Sequence, residues 1–417
     1  MTHDAHLRTP AGRPRARGLG IPFHGTPGPF NSITDVPGIE VGYATLIAGE
    51  GPLVVGEGPV RTGVTAIHPR GRADPGTACT AGFFSLNGNG EMTGTVWIEE
   101  AGSLLLPVTI TNTHAVGIAQ EATIAWTTER HPQLTGVWAL PVAAETWDGY
   151  LNDINGRHVT GDVVFSALDA ARGGPIEEGS VGGGTGMNCY HFKGGSGTAS
   201  RVVQHGADTY SVGVFVQANF GARKELVIAG VPVGRELADD DPLADPSWYA
   251  PAGAGSVIAI VATDAPLLPG QCKALARRVP LGLARTGTTG SHFSGDIFLA
   301  FSTGNHGELM MGMDADAAGA YGTLRFVPWV AMDPFFEAVV QATEEAVLNA
   351  LCAAEEMTGV NGRRSPGLPH DRALRAARAR GRAGVPASAH LPRRASATAC
   401  RTSGAGRCTA CRSRPRI

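Results

Sequence analysis

The sequence predicts a layered α+β body in which sheets lie between helices. Three observations predict it. Helical and strand-like segments are interspersed without the regular strand–helix alternation of a doubly wound parallel sheet. Two strand-like runs, 257–262 and 297–301, are apolar at every position, as in strands covered on both faces. Long segments with a helical apolar stripe are available to cover them.

Residues 334–357 predict a helix. Asp333 stands at the N-cap, Pro334 at the first helical position and Gly359 beyond the end. Phe336, Val340, Thr343, Val347, Leu351 and Ala354 form one stripe at helical spacing. Residues 269–285 predict a second helix, with Cys272, Leu275, Val279 and Leu283 on one face, and 116–129 a third that stops before Pro132. Strands are expected at 64–67, 108–111, 137–140, 210–217, 257–262 and 297–301, from β-branched and aromatic enrichment. Residues 235–255 form an acidic, proline-rich, glycine-ended loop running directly into Ser256. A loop that long in a compact body is a functional signal.

Composition divides the chain. The net charge of -3 conceals a split. Residues 361–417 carry 14 arginines against one acid (Asp371), leaving 20 of 34 basic and 36 of 37 acidic residues in 1–360. The reading is a disordered arm at 1–17, one domain over 18–372, and a disordered basic tail at 373–417 with too little apolar surface to offset its ordering entropy. Cys408 and Cys411 in that tail lack the second half of a zinc site, so no metal is expected. The tail has no interleaved aromatic residues, so nucleic acid is not an expected partner. Glycine, 58 of 417 residues, is about twice its usual ~7%. It excludes a coiled coil and, lacking a G-X-Y period, collagen. No run reaches ~18 apolar residues, so no membrane span is expected. Isolated Cys79, Cys189, Cys272 and Cys352 read as buried thiols of a reducing, cytoplasmic compartment.

The signatures of a P-loop, a zinc protease helix, a GxSxG nucleophile elbow and a dinucleotide fold are absent. Gly182–Gly186 lacks dinucleotide spacing, and His68, His114, His191, His292 and His306 are scattered. What remains is Gly255-Ser256 at the entry to the most apolar strand. It reads either as a loop end or as a cleavage site. In the second case Ser256 becomes an N-terminus, whose own amine, with a pKa of ~7.7–8.0, serves as base for its hydroxyl. Ser294 and Asp296, two apart at another strand entry, share one face and could orient such an amine.

Several stretches now point one way together: Asn31-Ser-Ile-Thr-Asp-Val-Pro-Gly38, Arg61-Thr-Gly-Val-Thr-Ala-Ile67, Glu145-Thr-Trp-Asp-Gly-Tyr-Leu-Asn-Asp153, Val216-Gln-Ala-Asn219, Gly255-Ser256 and Ser294-Gly-Asp-Ile-Phe-Leu-Ala-Phe301. In this order they resemble the L-aminopeptidase/D-esterase family, self-processing enzymes that include the β-aminopeptidases. The resemblance covers about residues 17–372. It implies a four-layer αββα sandwich of the N-terminal-nucleophile type, cut between Gly255 and Ser256, with both fragments kept in one fold and four processed protomers in a tetramer. It implies Ser256 as nucleophile, Ser294 and Asp296 as the pair supporting its amine, Asn219 as oxyanion donor, and Glu145 and Trp147 in the substrate cleft, with no cofactor. Asp296 stands where several members have glutamate, and Trp147 where some have tyrosine. The implied substrates are short peptides, amides or esters that lose their N-terminal residue. Two other readings are a biosynthetic amidase for a pantetheine-like amide and a non-enzymatic binding protein with a basic arm.

Overall fold

The computed structural model describes residues 4–245, 254–306, 309 and 321–383, with side chains to residue 379. Two sheets carry the architecture. One has β1 (Glu40–Ala48), β2 (Val60–His68), β5 (Val108–Asn112) and β6 (Val142–Thr146) in that spatial order. The other runs β4 (Ser103–Leu104), β3 (Cys79–Ser85), β12 (Ser294–Ser302), β11 (Gly255–Thr263), β10 (Asp208–Asn219) and β9 (Gly195–His205). Pairing is antiparallel except at β5–β6 and β11–β12.

The alternation of side chains along β11 shows how the layers stack. Ile258, Ile260 and Ala262 join Val108, Ile110, Val142 and Ala144 in a core between the sheets. Val257, Ala259 and Val261 face the other way, into a core shared with α4 (Pro269–Ala276), α5 (Val279–Arg285) and α6 (Asp333–Ala353). The outer face of the smaller sheet packs Val64, Ala66 and Ala143 against α2 (Val116–Arg130) and α3 (Gly161–Asp169). The result is the expected αββα sandwich. It explains the uniformly apolar runs, because each central strand contributes to two cores at once. The four isolated cysteines are buried free thiols, and no described helix is long and apolar enough to cross a membrane.

Several expectations are corrected. Residues 137–140 form no strand; the smaller sheet is completed by β6, two residues further on. The segment 269–285 is two helices, because Pro280 at the start of α5 cannot continue the ladder of α4. The strands β1, β3 and β9 and the short helix α1 (Thr95–Ala101) were not legible locally. The helix expected at 334–357 ends four residues earlier, at Ala353.

Both termini are more ordered than composition suggests. Residues 4–17 are docked on the body rather than loose. Arg15 is 3% exposed, gripping Glu178 at 2.7 Å and the carbonyls of Asn31 and Thr198. Arg17 and Arg201 both reach Glu345, which also accepts from Asn31. Arginines that look like solvating charge thus dock the arm, Arg15 from a buried position and Arg17 from a partly exposed one. The basic tail, expected to be disordered from residue 373, begins as α7 (His370–Ala383), which runs past that boundary. Ala373 is buried, Leu374, Ala376 and Ala377 pack beside it, and Arg372 pairs with Asp239 at 2.8 Å. Alanine's high helix propensity and the apolar stripe together account for this. Residues 384–417, with Cys408 and Cys411, lie outside the described residues.

Burial opposes ionisation of Glu345, but the bonds from Arg17 and Arg201 outweigh it and hold the carboxyl below its ordinary 4.5. Glu345→Gln leaves Arg201 buried without its counter-charge and is expected to cost about 3–5 kcal/mol. The unfolding free energy extrapolated from urea titration should fall by that amount at pH 7. A carboxyl held low in the folded state stabilises above its unfolded pKa, so the gap to wild type should close as pH drops below 4.5.

Candidate active site

Three neighbouring strands end at the same place. β10 ends on Asn219, β11 begins at Gly255 and β12 begins at Ser294. Asn219 stands directly opposite Ser256, Ser256 opposite Gly295, Gly255 opposite Ser294, and Val257 opposite Asp296. Register alone therefore assembles residues spread over 78 positions of sequence.

Alternation then sorts them by face. Ser256 follows the parity of Ile258 and Ile260, toward the smaller sheet. Asn219 is on that same face, because its Nδ2 donates to the Trp147 carbonyl beyond β6 at 2.8 Å. Its Oδ1 accepts from the Asn188 N–H at 2.8 Å, which fixes which end of the amide is nitrogen. One Nδ2 hydrogen is committed to the Trp147 carbonyl, and Asn219 stands opposite Ser256 in the ladder. Ser256 is 2% exposed, and among the described residues its hydroxyl has no hydrogen-bond partner. A buried hydroxyl without a partner is costly and marks a site held ready for something else.

Ser294 and Asp296 follow the parity of Phe298 and Ala300, on the opposite face of the sheet. Their shared face is as expected: Ser294 Oγ donates to Asp296 Oδ1 at 2.5 Å. They do not share the face of the Ser256 hydroxyl. The carboxylate instead reaches the backbone of β11, where the Val257 N–H donates to it. Burial pushes the Asp296 carboxyl up, against the bonds from Ser294, Asn87 and the Val257 N–H.

Glycine is required at the junction. A Cβ on Gly255 would lie 2.0 Å from the Asn219 carbonyl oxygen, and one on Gly295 would lie 2.4 Å from that of Asn89. The gap at Gly295 lets a loop at residues 86–91 close over the strand ends, and the gap at Gly255 lets β11 approach the end of β10. A Cβ on Gly90 would touch both Gly295 Cα, at 3.0 Å, and Glu145 Oε1, at 3.2 Å, so this loop links Glu145 to the start of β12. Glu145, 2% exposed, accepts from the Glu91 N–H at 2.9 Å and from the Thr113 hydroxyl. Burial pushes its carboxyl up, and neither lysine nor arginine is among the groups acting on it. Trp147, half-buried, folds its ring over Gly149, where a Cβ would meet it at 2.4 Å.

The model of peptidase family S58 matches residues 31–365. The chain belongs to peptidase family S58. It is 50% identical over 366 residues to a β-peptidyl aminopeptidase of Sphingosinicella microcystinivorans, covering 86% of this chain and 90% of that one. A second β-peptidyl aminopeptidase, from Sphingosinicella xenopeptidilytica, is 46% identical over 88% of this chain and 92% of its own length. Among solved structures, the L-aminopeptidase D-Ala-esterase/amidase of Ochrobactrum anthropi superposes with a TM-score of 0.82 at 45% identity, over 89% of this chain and 99% of that one. That structure is described as a variant of the Ntn hydrolase fold, which this S58 chain shares.

Sequence reasoning missed one member of this S58 site. Asn87 donates to Asp296 Oδ2 at 3.1 Å and to the Ser291 carbonyl at 2.9 Å, and its own Oδ1 accepts from the Asp296 N–H at 2.7 Å. It sits in an Asn- and Gly-rich turn that reads as a turn and nothing more. Gly182–Gly184, by contrast, is structural: a Cβ on Gly183 would meet Gln217 Oε1 at 2.1 Å and the Ile110 carbonyl at 2.5 Å, so the turn wedges between the sheets.

Asn87→Ala removes a donor that favours the ionised Asp296. The carboxyl, already raised by burial, should rise further, and the acid limb of the kcat/KM profile should move to higher pH. The pH–rate profile of the variant against wild type checks it.

Proposed function

We propose that this peptidase is a self-cleaving serine aminopeptidase whose nucleophile is Ser256, released by cleavage of the Gly255–Ser256 bond. The observation that carries the reading is the Ser256 hydroxyl itself: buried, unpartnered among the described residues, opposite Asn219 in the strand register and preceded by a glycine at which a Cβ would crowd the Asn219 carbonyl. Attack of Oγ on the Gly255 carbonyl exchanges the amide for an ester. Water then cleaves the ester, leaving a Gly255 carboxylate and a free amine on Ser256. Both fragments stay in one sandwich, because β11 remains paired to β10 on one side and β12 on the other.

The freed amine, with a pKa of ~7.7–8.0, takes the hydroxyl proton as Ser256 attacks a substrate carbonyl. Ser294 and Asp296, reaching β11 from the opposite face, hold that amine. The second Nδ2 hydrogen of Asn219 meets the oxyanion. The acyl-enzyme is then hydrolysed by water. Glu145 holds the substrate's N-terminal ammonium: a buried carboxylate acted on by His114 but by no lysine or arginine gains from the fixed positive charge that this ammonium supplies. Trp147 forms part of the wall of the cleft through its ring. The substrates are short peptides, amides or esters, and the names of the two Sphingosinicella relatives make N-terminal β-amino residues the first to assay.

Ser256→Ala should remain one uncut chain by denaturing mass spectrometry and release no p-nitroaniline from β-alanyl or L-alanyl p-nitroanilide. A variant that still matures and turns over would exclude Ser256 as nucleophile. Gly255→Ala, which sets a methyl group against the Asn219 carbonyl, should fold but cleave itself at least roughly tenfold more slowly, the effect of about 1.4 kcal/mol of misalignment. A time course of fragment appearance measures it.

A further inference from the structure

An amide that stabilises an oxyanion has to be aimed, and the aim of Asn219 depends on one peptide plane. The Asn188 N–H that fixes Asn219 Oδ1 belongs to the same rigid unit as the Met187 carbonyl. Holding the oxygen end of that unit sets the direction of its N–H. The oxygen end is held by Lys193, whose Nζ donates to the Met187 carbonyl at 2.8 Å, to that of Gly194 at 2.9 Å and to that of Gly184 at 3.4 Å. The Gly194 N–H donates to the Met187 carbonyl as well, at 2.8 Å.

Lys193 is fully buried, and the side-chain partners it has among the described residues are all carbonyls. No carboxylate neutralises it. Burial draws its ammonium down to about 7; in the charged form it has three N–H donors, one for each carbonyl. A buried amine without an acid is expensive, and methionine would fill the same shaft without that cost. What methionine cannot do is draw three carbonyls to one point. The local fold fits this task. The strands β7 (Asn188–Cys189) and β8 (Phe192–Lys193) make a hairpin in which Asn188 stands opposite Lys193. The Lys193 N–H anchors the hairpin to the Pro366 carbonyl at 2.7 Å, and the Tyr190 N–H to that of Phe220, the residue after Asn219, at 2.7 Å.

We propose that Lys193 is a positioning residue for hydrolysis: by fixing the Met187–Asn188 peptide plane it holds the Asn219 amide toward Ser256. This rests on the reading of Asn219 as the oxyanion donor.

The test is a double-mutant cycle on the processed enzyme, with kcat and KM measured for wild type, K193M, N219A and the double variant on one p-nitroanilide. N219A is expected to lose ~10²–10³ in kcat. K193M is expected to lose roughly tenfold or more in kcat with KM within about threefold, and the double variant to be no slower than N219A alone. A purely structural lysine would instead add its loss to that of N219A. K193M at wild-type kcat beside an impaired N219A, or losses that multiply, overturns the role of Lys193. N219A at wild-type kcat overturns the underlying reading of Asn219 instead. If K193M does not mature, the rate of self-cleavage of the same four chains replaces turnover in the cycle. A crystal structure of K193M gives a second readout: the Asn188 N to Asn219 Oδ1 contact should be broken, and its persistence at 2.8 Å would count against the proposal.

Discussion

The hydrogen-bonded register of β10, β11 and β12 is the constraint on which the site depends. Side chains two positions apart share a face, and a slip of one residue would send every side chain of a strand to the opposite core. Here such a slip would turn Ile258 and Ile260 out of the inter-sheet core and Val257 and Val261 out of the helix-side core. The buried apolar residues thus lock the register. The same lock sets Asn219 beside Ser256 and Asp296 beside Val257. The chemistry is placed by the hydrophobic effect acting some residues away from it.

Polar groups at the strand ends complete what the register begins, and each is tied down from a different part of the chain. Asp296 is held by Asn87 from the β3 side, Asn219 by Asn188 and the Trp147 carbonyl, and Glu145 by Glu91 and Thr113. The Ser256 hydroxyl, by contrast, is left without a partner among the described residues. That asymmetry is the physical meaning of a preorganised site: supporting groups already spend their hydrogen bonds in the folded chain, so little reorganisation is needed when charge develops. Close backbone approach makes it possible, and Gly255 and Gly295 are positions where a side chain would crowd a neighbouring carbonyl.

Much of the site was legible as motif. Ser256, Ser294, Asp296, Asn219, Glu145 and Trp147, which the resemblance named, lie at or beside the ends of β6, β10, β11 and β12. Asn87 and Lys193 carried no signal. Asparagine in a glycine-rich turn is commonplace, and an isolated lysine ordinarily reads as a solvated surface charge. Their roles depend on partners 209 and up to nine residues away, and on burial, which no local pattern expresses for a cation. The same blindness explains the termini. Arginine-rich composition suggested loose arms, yet Arg15 is buried against Glu178 and the partly exposed Arg17 reaches the buried Glu345.

By itself the sequence determined the layered α+β class, the doubly covered strands and the family-specific order of motifs, because hydrophobic periodicity and short motifs are local properties. Only the tertiary structure decided that the Ser256 hydroxyl and the Ser294–Asp296 pair stand on opposite faces of one sheet. It likewise decided where β6 completes the smaller sheet, and which buried charges find partners. Those outcomes turn on strand register and on contacts between distant segments, and both are fixed only when the cores on either side of the central sheet close together.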